Sequence, residues 1–361
     1  MNSLLQGAGS RPLAGYLFDD YHLGQRFRHA IPRTVGAGEA SLYIALTGER
    51  HPLHCCAPLA RALGYRAVPL DDLLVFNIAF GQTVADISSN AIANLGYADM
   101  RFLAPVYAGD TLACESEVIG VKRNSSGKSG VVYVRSRASN QEGTEVLSWA
   151  RWVMLPARSG AAATNVSPQL PNLPAEVDAA NFVVAAFLTP AALTAHFTGS
   201  ARTWEDYAPG TVIDHPSGMT LEESDHMLAT RLYQNSARVH FDAFAARDGA
   251  FGKRLIYGGH VMSVCRALSY DGLENAFALA AVHGGTHSNP TFAGDTLYCR
   301  HVVLGRSAIA ARADLGALRL RMLGAKNIAL ADLPALAVGE RHPAVVLDLD
   351  YSVLIPRRQN A

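Results

Sequence analysis

The sequence predicts an α+β fold made of two similar halves in tandem, each a long helix packed against a curved antiparallel β-sheet. Three observations predict this fold. The chain has 361 residues, which exceeds the usual size of a single hydrophobic core. Two distant regions match when one is shifted by a nearly constant offset. Several segments alternate between apolar and other residues with the period of two that is typical of antiparallel strands.

The internal repeat is seen in paired motifs. His54 corresponds to His240, at an offset of 186 residues (240 − 54 = 186). PVYAGDTLAC in the first region matches PTFAGDTLYC in the second, where Gly109 corresponds to Gly294 at an offset of 185 (294 − 109 = 185). Repeats of this length indicate that one structural unit occurs twice in the chain.

The repeat also gives the domain organisation. We predict an N-terminal half over residues 1–156 and a C-terminal half over residues 179–361. Between them, residues 157–178 are rich in Ala, Ser, Pro and Asn and show no sustained periodicity, which is typical of a linker.

Each half contains one long apolar helix followed by alternating strands. The helices are predicted from Asp71 to Ala85 and from Gly259 to Tyr270. The strands are predicted at GVVYVRSRASN and VLSWARWVML in the first half and at LRLRML and VVLDLDYSVLI in the second. A helix laid against an antiparallel sheet in this order is the hot-dog arrangement, and two such halves form a double hot dog.

Composition indicates a compact protein with a small ligand. Lys plus Arg equal Asp plus Glu at 31 each, and no basic run is longer than a pair, so we expect no nucleic-acid or membrane partner. The five cysteines form no C-x-x-C pair, which favours a reducing compartment and predicts a cytoplasmic protein. Neither a signal peptide nor an apolar run of about 20 residues is found in the sequence.

One short segment concentrates the polar groups of a reaction centre. Four of them lie within eight residues of YQNSARVHFD: Asn235, Arg238, His240 and Asp242. Gly258 and Gly259 then open an apolar helix in KRLIYGGHVMS. Free amides at a helix start attract negative charge, so Gly259 is well placed to hold an oxygen that gains negative charge during a reaction. The alternative is a helix-capping turn with a surface histidine.

The second half resembles the hydratase element of the MaoC-like enoyl-CoA hydratases, whose signature is G-D-x-N-P-x-H-x-D with a glycine at the head of the long helix. His240, Asp242 and Gly259 fit this signature, while Asn235 occupies the Asp position. An amide cannot act as a base near neutral pH. The resemblance therefore implies that His240 carries the proton and that Asn235 orients water or substrate. Asp242 either takes part or only fixes the loop and caps the next helix.

The first half carries a second copy of this element in TGERHPLH. Glu49 stands at the Asp position of the signature, and His54 corresponds to its histidine. VPLDDLLVF places Asp71 and Asp72 where the second half has its glycine pair, and carboxylates there would repel an oxyanion. This copy is a second site, a decayed site or a wall for the acyl chain, and decay or support is the preferred interpretation.

Two further segments identify the fold better than the chemistry. NLGYADMRFLAPVYAGDTL carries the family pattern R-F-x-x-P-V-x-x-G-D-T-L, in which Arg101 is a secondary site candidate or only a strand-edge charge. GVKRNSSGKSG lacks the spacing of a phosphate-binding loop and is predicted to be a hairpin turn.

Nearly the whole chain resembles one branch of this superfamily, the mesaconyl-CoA hydratases, also called β-methylmalyl-CoA dehydratases. The resemblance is carried by segments such as HAIPRTVGAGEASLYIALTGERHPLH, LIYGGHVMSVCRALS and PAVVLDLDYSVLIPRR, and it departs mainly in the linker and at Glu49. It implies reversible hydration of mesaconyl-C1-CoA to β-methylmalyl-CoA by a homodimer. No metal, nicotinamide or flavin is expected, since coenzyme A is part of the substrate.

The resemblance also implies a role for each site residue. His240, assisted by Asn235, activates water, and Gly259 with Gly258 polarises the thioester carbonyl. The distal carboxylate of this substrate needs a cation, and Arg238, two residues before His240, is the candidate for it. The alternatives are a general (R)-specific enoyl-CoA hydratase, an acyl-CoA thioesterase and a non-catalytic acyl-CoA-binding protein.

Overall fold

The two halves of the chain share one twelve-stranded sheet. The structure is a computed structural model that describes residue 12 and residues 14–158, 168–310 and 312–358. Along the sheet the strand order is β1-β4-β5-β6-β3-β9-β12-β11-β10-β7, with β2 paired to β4 and β8 to β10. Every paired neighbour runs antiparallel.

Within its described residues, the first half provides six strands and three helices. The strands are β1 (Arg26–Arg28), β2 (Arg33–Thr34), β3 (Ala93–Phe102), β4 (Thr111–Arg123), β5 (Ser129–Ser139) and β6 (Glu145–Pro156). The helices are α1 (Ala37–Thr47), α2 (Ala57–Ala62) and α3 (Asp72–Ile87).

The second half repeats this plan with additional short helices. Its strands are β7 (Val212–Asp214), β8 (Met219–Thr220), β9 (Ala278–Thr286), β10 (Thr296–Ile309), β11 (Arg312–Lys326) and β12 (Val345–Pro356). Its helices are α4 (Ala195–Thr198), α5 (Glu223–Leu232), α6 (Arg238–Phe241), α7 (Ala243–Ala246) and α8 (Gly258–Leu268). Short 3₁₀ turns lie at Phe18–Asp20, Pro52–His54, Ala179–Asn181, Pro190–Ala192, Trp204–Asp206 and Leu330–Asp332.

The predicted elements are confirmed. The two long helices are α3 and α8, each within two residues of its predicted bounds. The four alternating segments form β5, β6, β11 and β12. GVKRNSSGKSG is the turn between β4, which ends at Arg123, and β5, which begins at Ser129. The fold is the expected double hot dog.

The halves meet at the centre of the sheet and again between the long helices. In the sheet, β3 pairs with β9, so that Tyr97 lies opposite Gly285. Between the helices, Asn77 Nδ2 donates to Ser263 Oγ at 3.0 Å and to the Gly259 carbonyl at 3.3 Å. Asn77 and Ser263 are 186 residues apart, the offset of the repeat. The two helices therefore cross at equivalent positions of the two halves.

The bounds predicted for the two halves and for the linker between them stay a prediction. Strand β6 ends at Pro156, and Gln169, within the predicted linker, pairs with Val121 of β4. Residues 159–167 of the predicted linker lie outside the described residues. None of the helices in the described ranges is both long and apolar enough to cross a membrane.

Candidate active site

A cavity of about 300 Å³ lies between the two halves. Its walls come from α3, β3 and β6 of the first half and from α6, the start of α8 and the segment after β9 of the second half. Seven polar or glycine positions on these walls bear on function: Asn94, Arg151, Asn235, His240, Tyr257, Gly258 and His287.

His240 is held with a free imine nitrogen. Its Nδ1 atom lies 3.0 Å from the Leu255 carbonyl oxygen, which can only accept, so Nδ1 carries the proton and Nε2 carries a lone pair. Burial lowers the pKa of His240 to about 4, and the bond to Leu255 opposes this shift. The side chain is therefore neutral near pH 7 and has the protonation state of a general base.

The residue that precedes α8 is fixed by a second histidine. The Tyr257 amide donates to Nε2 of His226 at 2.9 Å, which requires a neutral His226. Burial, followed by the nearby His240 and His260, lowers the pKa of His226 to about 2. The Tyr257 ring lies 5.5 Å from the His240 ring, centroid to centroid. This ring contact and the hydrogen bond from the Tyr257 amide position the start of α8 beside His240.

The two glycines at the start of α8 face different surroundings. Gly258 lies on the cavity wall, where a Cβ atom would come within 2.5 Å of His287 Nε2. A Cβ atom on Gly259 would overlap Asn77 Oδ1 of α3. These are the first two helical residues, whose amides have no intrahelical acceptor. The structure therefore places Gly258 on the cavity wall and Gly259 at the helix crossing, whereas the sequence had favoured Gly259 for the substrate.

Three other predicted residues lie in distinct places. Asn235 is buried on the cavity wall, and its Oδ1 accepts from the Ala237 amide at 3.1 Å. Asp242 accepts from the Ala245 amide at 3.0 Å and caps α7, which matches the capping alternative. Arg238 is exposed and is not among the cavity-lining residues, so its position does not support a contact with a bound carboxylate.

The first-half copy keeps the histidine geometry in a closed site. His54 Nδ1 lies 3.2 Å from the Pro69 carbonyl, and Pro69 corresponds to Leu255 at the repeat offset (255 − 69 = 186). The space beside His54 is only about 10 Å³, close to the minimum for one water molecule. The interpretation of this copy as a decayed or supporting site agrees with that closure.

Carboxylates close the space around His54. Asp71 Oδ2 lies 3.7 Å from His54 Nε2, and Asp72 accepts from the Leu279 amide at 2.9 Å. Burial, with the neighbouring Asp71, raises the pKa of Asp72 to about 6. Glu49 is also buried there and accepts from the His51 amide.

Arg101 has a structural partner. Its Nε donates to Asp99 at 2.8 Å, and Asp99 also pairs with Arg135 at 2.8 Å. Arg101 is not among the residues that line the cavity. Arg101 lies near the end of β3, a strand paired on both sides, and its ion pair with Asp99 gives it a structural role there.

The sequence interpretation missed four residues around the cavity: Arg151, His226, Tyr257 and His287. Arg151 carried a signal, since it is the one charge in the apolar strand VLSWARWVML. Tyr257 also carried a signal, since it directly precedes the glycine pair in KRLIYGGHVMS. The two histidines carried none, because only the fold brings them near His240.

Among the residues that the structure describes, one buried group has ligand atoms close enough to share a metal ion: His215, Cys299 and His301, whose atoms lie within 4.8 Å of one another. A hydrogen-bond chain accounts for this group. His215 Nε2 and His301 Nδ1 are 2.8 Å apart, and His301 Nε2 bonds the Tyr351 hydroxyl at 2.9 Å. The expectation that no metal is needed stays a prediction.

Fold and site together define a double hot-dog dehydratase of the MaoC-like class. A solved structure from Chloroflexus aurantiacus, described as a MaoC domain protein dehydratase, matches 97% of this chain and 100% of its own. The two are 47% identical, with a TM-score of 0.93.

The sequence comparisons narrow the class to one family. The model of the mesaconyl-CoA hydratase family matches residues 1–327. The chain is 48% identical to the β-methylmalyl-CoA dehydratase of Chloroflexus aurantiacus over 345 residues, 95% of this chain and 98% of the relative. It is 49% identical to the mesaconyl-CoA hydratase of Cereibacter sphaeroides over 344 residues, 95% of this chain and 99% of the relative. The chain belongs to the mesaconyl-CoA hydratase family.

Proposed function

We propose that this protein catalyses the reversible addition of water across the double bond of mesaconyl-C1-CoA to give β-methylmalyl-CoA. The observation that carries the proposal is a neutral His240 whose Nε2 lone pair is free, on the wall of a cavity that also contains the start of α8. The two curated relatives are named for the substrate and the product of this reaction.

Three groups on the cavity wall would carry out the hydration: the start of α8, His240 and Asn235. A thioester oxygen beside Gly258 would meet the unpaired amides of the α8 N-terminus, which stabilise the enolate that forms when water attacks the β carbon. His240 Nε2 takes the proton from that water and returns it to the α carbon, so the imidazole ends neutral as it began. The NH₂ group of Asn235, on the same cavity wall, can donate to the water oxygen and orients the water.

The proposal includes three properties that follow from the family and the chemistry. The substrate is a coenzyme A thioester, and no metal, nicotinamide or flavin is needed to add water. The protein acts in the cytoplasm, which is supported by five cysteines that are all unpaired. It forms a homodimer, which analytical ultracentrifugation would test.

The test is a substrate panel read by two signals. Mesaconyl-C1-CoA and crotonyl-CoA are followed by the loss of enoyl-thioester absorbance, while a thiol reagent measures free coenzyme A. We expect rapid loss of absorbance with mesaconyl-C1-CoA and no thiol release. Turnover of crotonyl-CoA alone would indicate a general (R)-specific enoyl-CoA hydratase. Thiol release would indicate a thioesterase, and binding without turnover would indicate a non-catalytic acyl-CoA-binding protein.

A further inference from the structure

Arg151 is a fully buried cation on the wall of the cavity. Its side chain is 0% exposed, and the guanidinium carbon lies 4.1 Å from the centre of the Phe80 ring. Nη2 donates to Thr83 Oγ1 at 2.9 Å and Nη1 to Ser88 Oγ at 3.3 Å, while Nε is buried with no hydrogen-bond partner. Across the described ranges, no carboxylate forms an ion pair with Arg151.

A buried arginine without a counter-ion is costly to a fold. Burial lowers the pKa of Arg151 to about 10, and the nearby Tyr97, Tyr257 and Tyr21 oppose this shift only in part. Hydroxyl partners satisfy two of its donors but supply no negative charge. A bound carboxylate would supply that charge and accept from the free Nε.

The closed first-half site also contains an arginine, but this arginine lies on a helix and not on a strand. In the sheet, Tyr97 lies opposite Arg151 and Val282 lies opposite Tyr351, so Tyr351 is the counterpart of Arg151. The counterpart of Phe80 is Arg266 (266 − 80 = 186). At this pair of positions each site therefore has an arginine and an aromatic ring: the open site has the arginine on the strand and the ring on the helix, and the closed site has the reverse.

The two arginines differ in what surrounds them. Arg266 lines the closed space together with Glu49, Asp71 and Asp72. Although burial lowers it, the pKa of Arg266 is raised overall by Tyr351 and these three acids. The closed site thus contains its own carboxylates, whereas the open site has a cation and space for a ligand.

We propose that Arg151 is the specificity-determining residue for a free carboxylate on the acyl group of the substrate. This inference rests on the proposed function, since in mesaconyl-C1-CoA the free carboxylate is attached to the β carbon that water attacks. Two more polar groups on the same wall fit this role. Both side-chain polar atoms of Asn94 and the Tyr257 hydroxyl are buried without partners. Recognition by Arg151 would fix the β carbon relative to His240.

The test compares two ligands that differ by a carboxylate in place of a methyl group. Dissociation constants for succinyl-CoA and butyryl-CoA are measured by calorimetry on wild type, Arg151→Lys and Arg151→Met. We expect wild type to prefer succinyl-CoA and Arg151→Met to lose at least about 100-fold in affinity for it, with butyryl-CoA nearly unchanged. Arg151→Lys keeps the charge without the planar fork and should retain part of the preference.

Thermal unfolding of each variant separates a folding defect from a change in preference, and the lysine variant keeps the test usable if the methionine variant does not fold. Equal weakening of both ligands, or an unchanged preference, would overturn the inference. Arg238→Met is measured as the rival, and collapse of the preference there instead would also overturn it.

The same samples are assayed for hydration of mesaconyl-C1-CoA, which tests the proposed function separately. A wild type that prefers succinyl-CoA through Arg151 but does not hydrate mesaconyl-C1-CoA would refute the reaction and leave the carboxylate site standing. A wild type that hydrates this substrate without any dependence on Arg151 would refute only the carboxylate site.

Discussion

His240 and His54 provide a matched pair for testing the proton-transfer role. Each histidine donates from Nδ1 to a backbone carbonyl, at 3.0 Å to Leu255 and 3.2 Å to Pro69. Glutamine at either position removes the imidazole while keeping a polar side chain of similar reach. The lost backbone hydrogen bond should cost about 1 kcal/mol of stability in each variant. Of these two histidines, only His240 lies on the wall of a cavity that can hold an acyl group.

We expect His240→Gln to lower kcat for mesaconyl-C1-CoA by about 10²- to 10⁴-fold, the range for loss of one general acid-base group. This corresponds to about 3–5 kcal/mol of barrier, several times the expected loss of stability. His54→Gln should keep kcat within about threefold of wild type, since the closed space beside it admits no substrate. Stopped-flow absorbance measures the rates, and urea titration measures the free energy of unfolding.

The comparison can fail in two ways. If His54→Gln lost as much activity as His240→Gln at equal stability, the first-half site would be active and the closure argument would be wrong. If His240→Gln kept near-native activity, another group in the cavity would be the base, and His287 is the other histidine on its wall.

The site supports four more predictions. Since the pKa of His240 is lowered to about 4 and the base must be neutral, kcat/KM should stay flat from about pH 5 to 8 and fall below about pH 4. The unfolded chain has an ordinary histidine pKa of about 6.5 and binds more protons, so stability measured by urea titration should fall as pH drops from about 6.5 towards 4. Gly258→Ala should reduce kcat more than stability and Gly259→Ala the reverse, because one faces the cavity and the other the helix crossing; equal losses of kcat at equal stability would contradict this. Asp242→Asn should keep activity within about threefold, as the amide oxygen can still cap α7, and a 100-fold loss would restore a catalytic role.

The fold was largely accessible from sequence because its signals are local. Alternating residues in VLSWARWVML and VVLDLDYSVLI predict strands, and both form long central strands of the sheet. The repeat offset predicts two equivalent halves, and the contact between Asn77 and Ser263 shows that offset in space. The bounds of α3 and α8 differ by no more than two residues from their predicted ends. At the starts of these helices, Asp71 caps α3 and Tyr257 is the last residue of the loop before α8.

The site was only partly accessible because its walls come from both halves. Asn235, His240 and Gly258 are close in sequence, so the family pattern could indicate them together. Arg151 is 89 residues before His240 (240 − 151 = 89) and reaches the cavity only through the pairing of β3 with β6 and β9. The lone charge in an apolar strand was a signal for it, but a sequence cannot show whether such a charge meets a protein carboxylate or a ligand.

Two exchanges between equivalent positions explain why one site is open and the other closed. At the helix start, Asp72 in the first half corresponds to Gly258 in the second, so a buried carboxylate occupies the place where the second site leaves helix amides free. At the far wall, Arg266 of α8 faces those acids in the closed first-half site, while Arg151 of β6, on the wall of the open site, has no carboxylate partner across the described ranges. In the closed site, Arg266 thus pairs with carboxylates of the protein itself. In the open site, the proposed partner of Arg151 is the free carboxylate of the substrate.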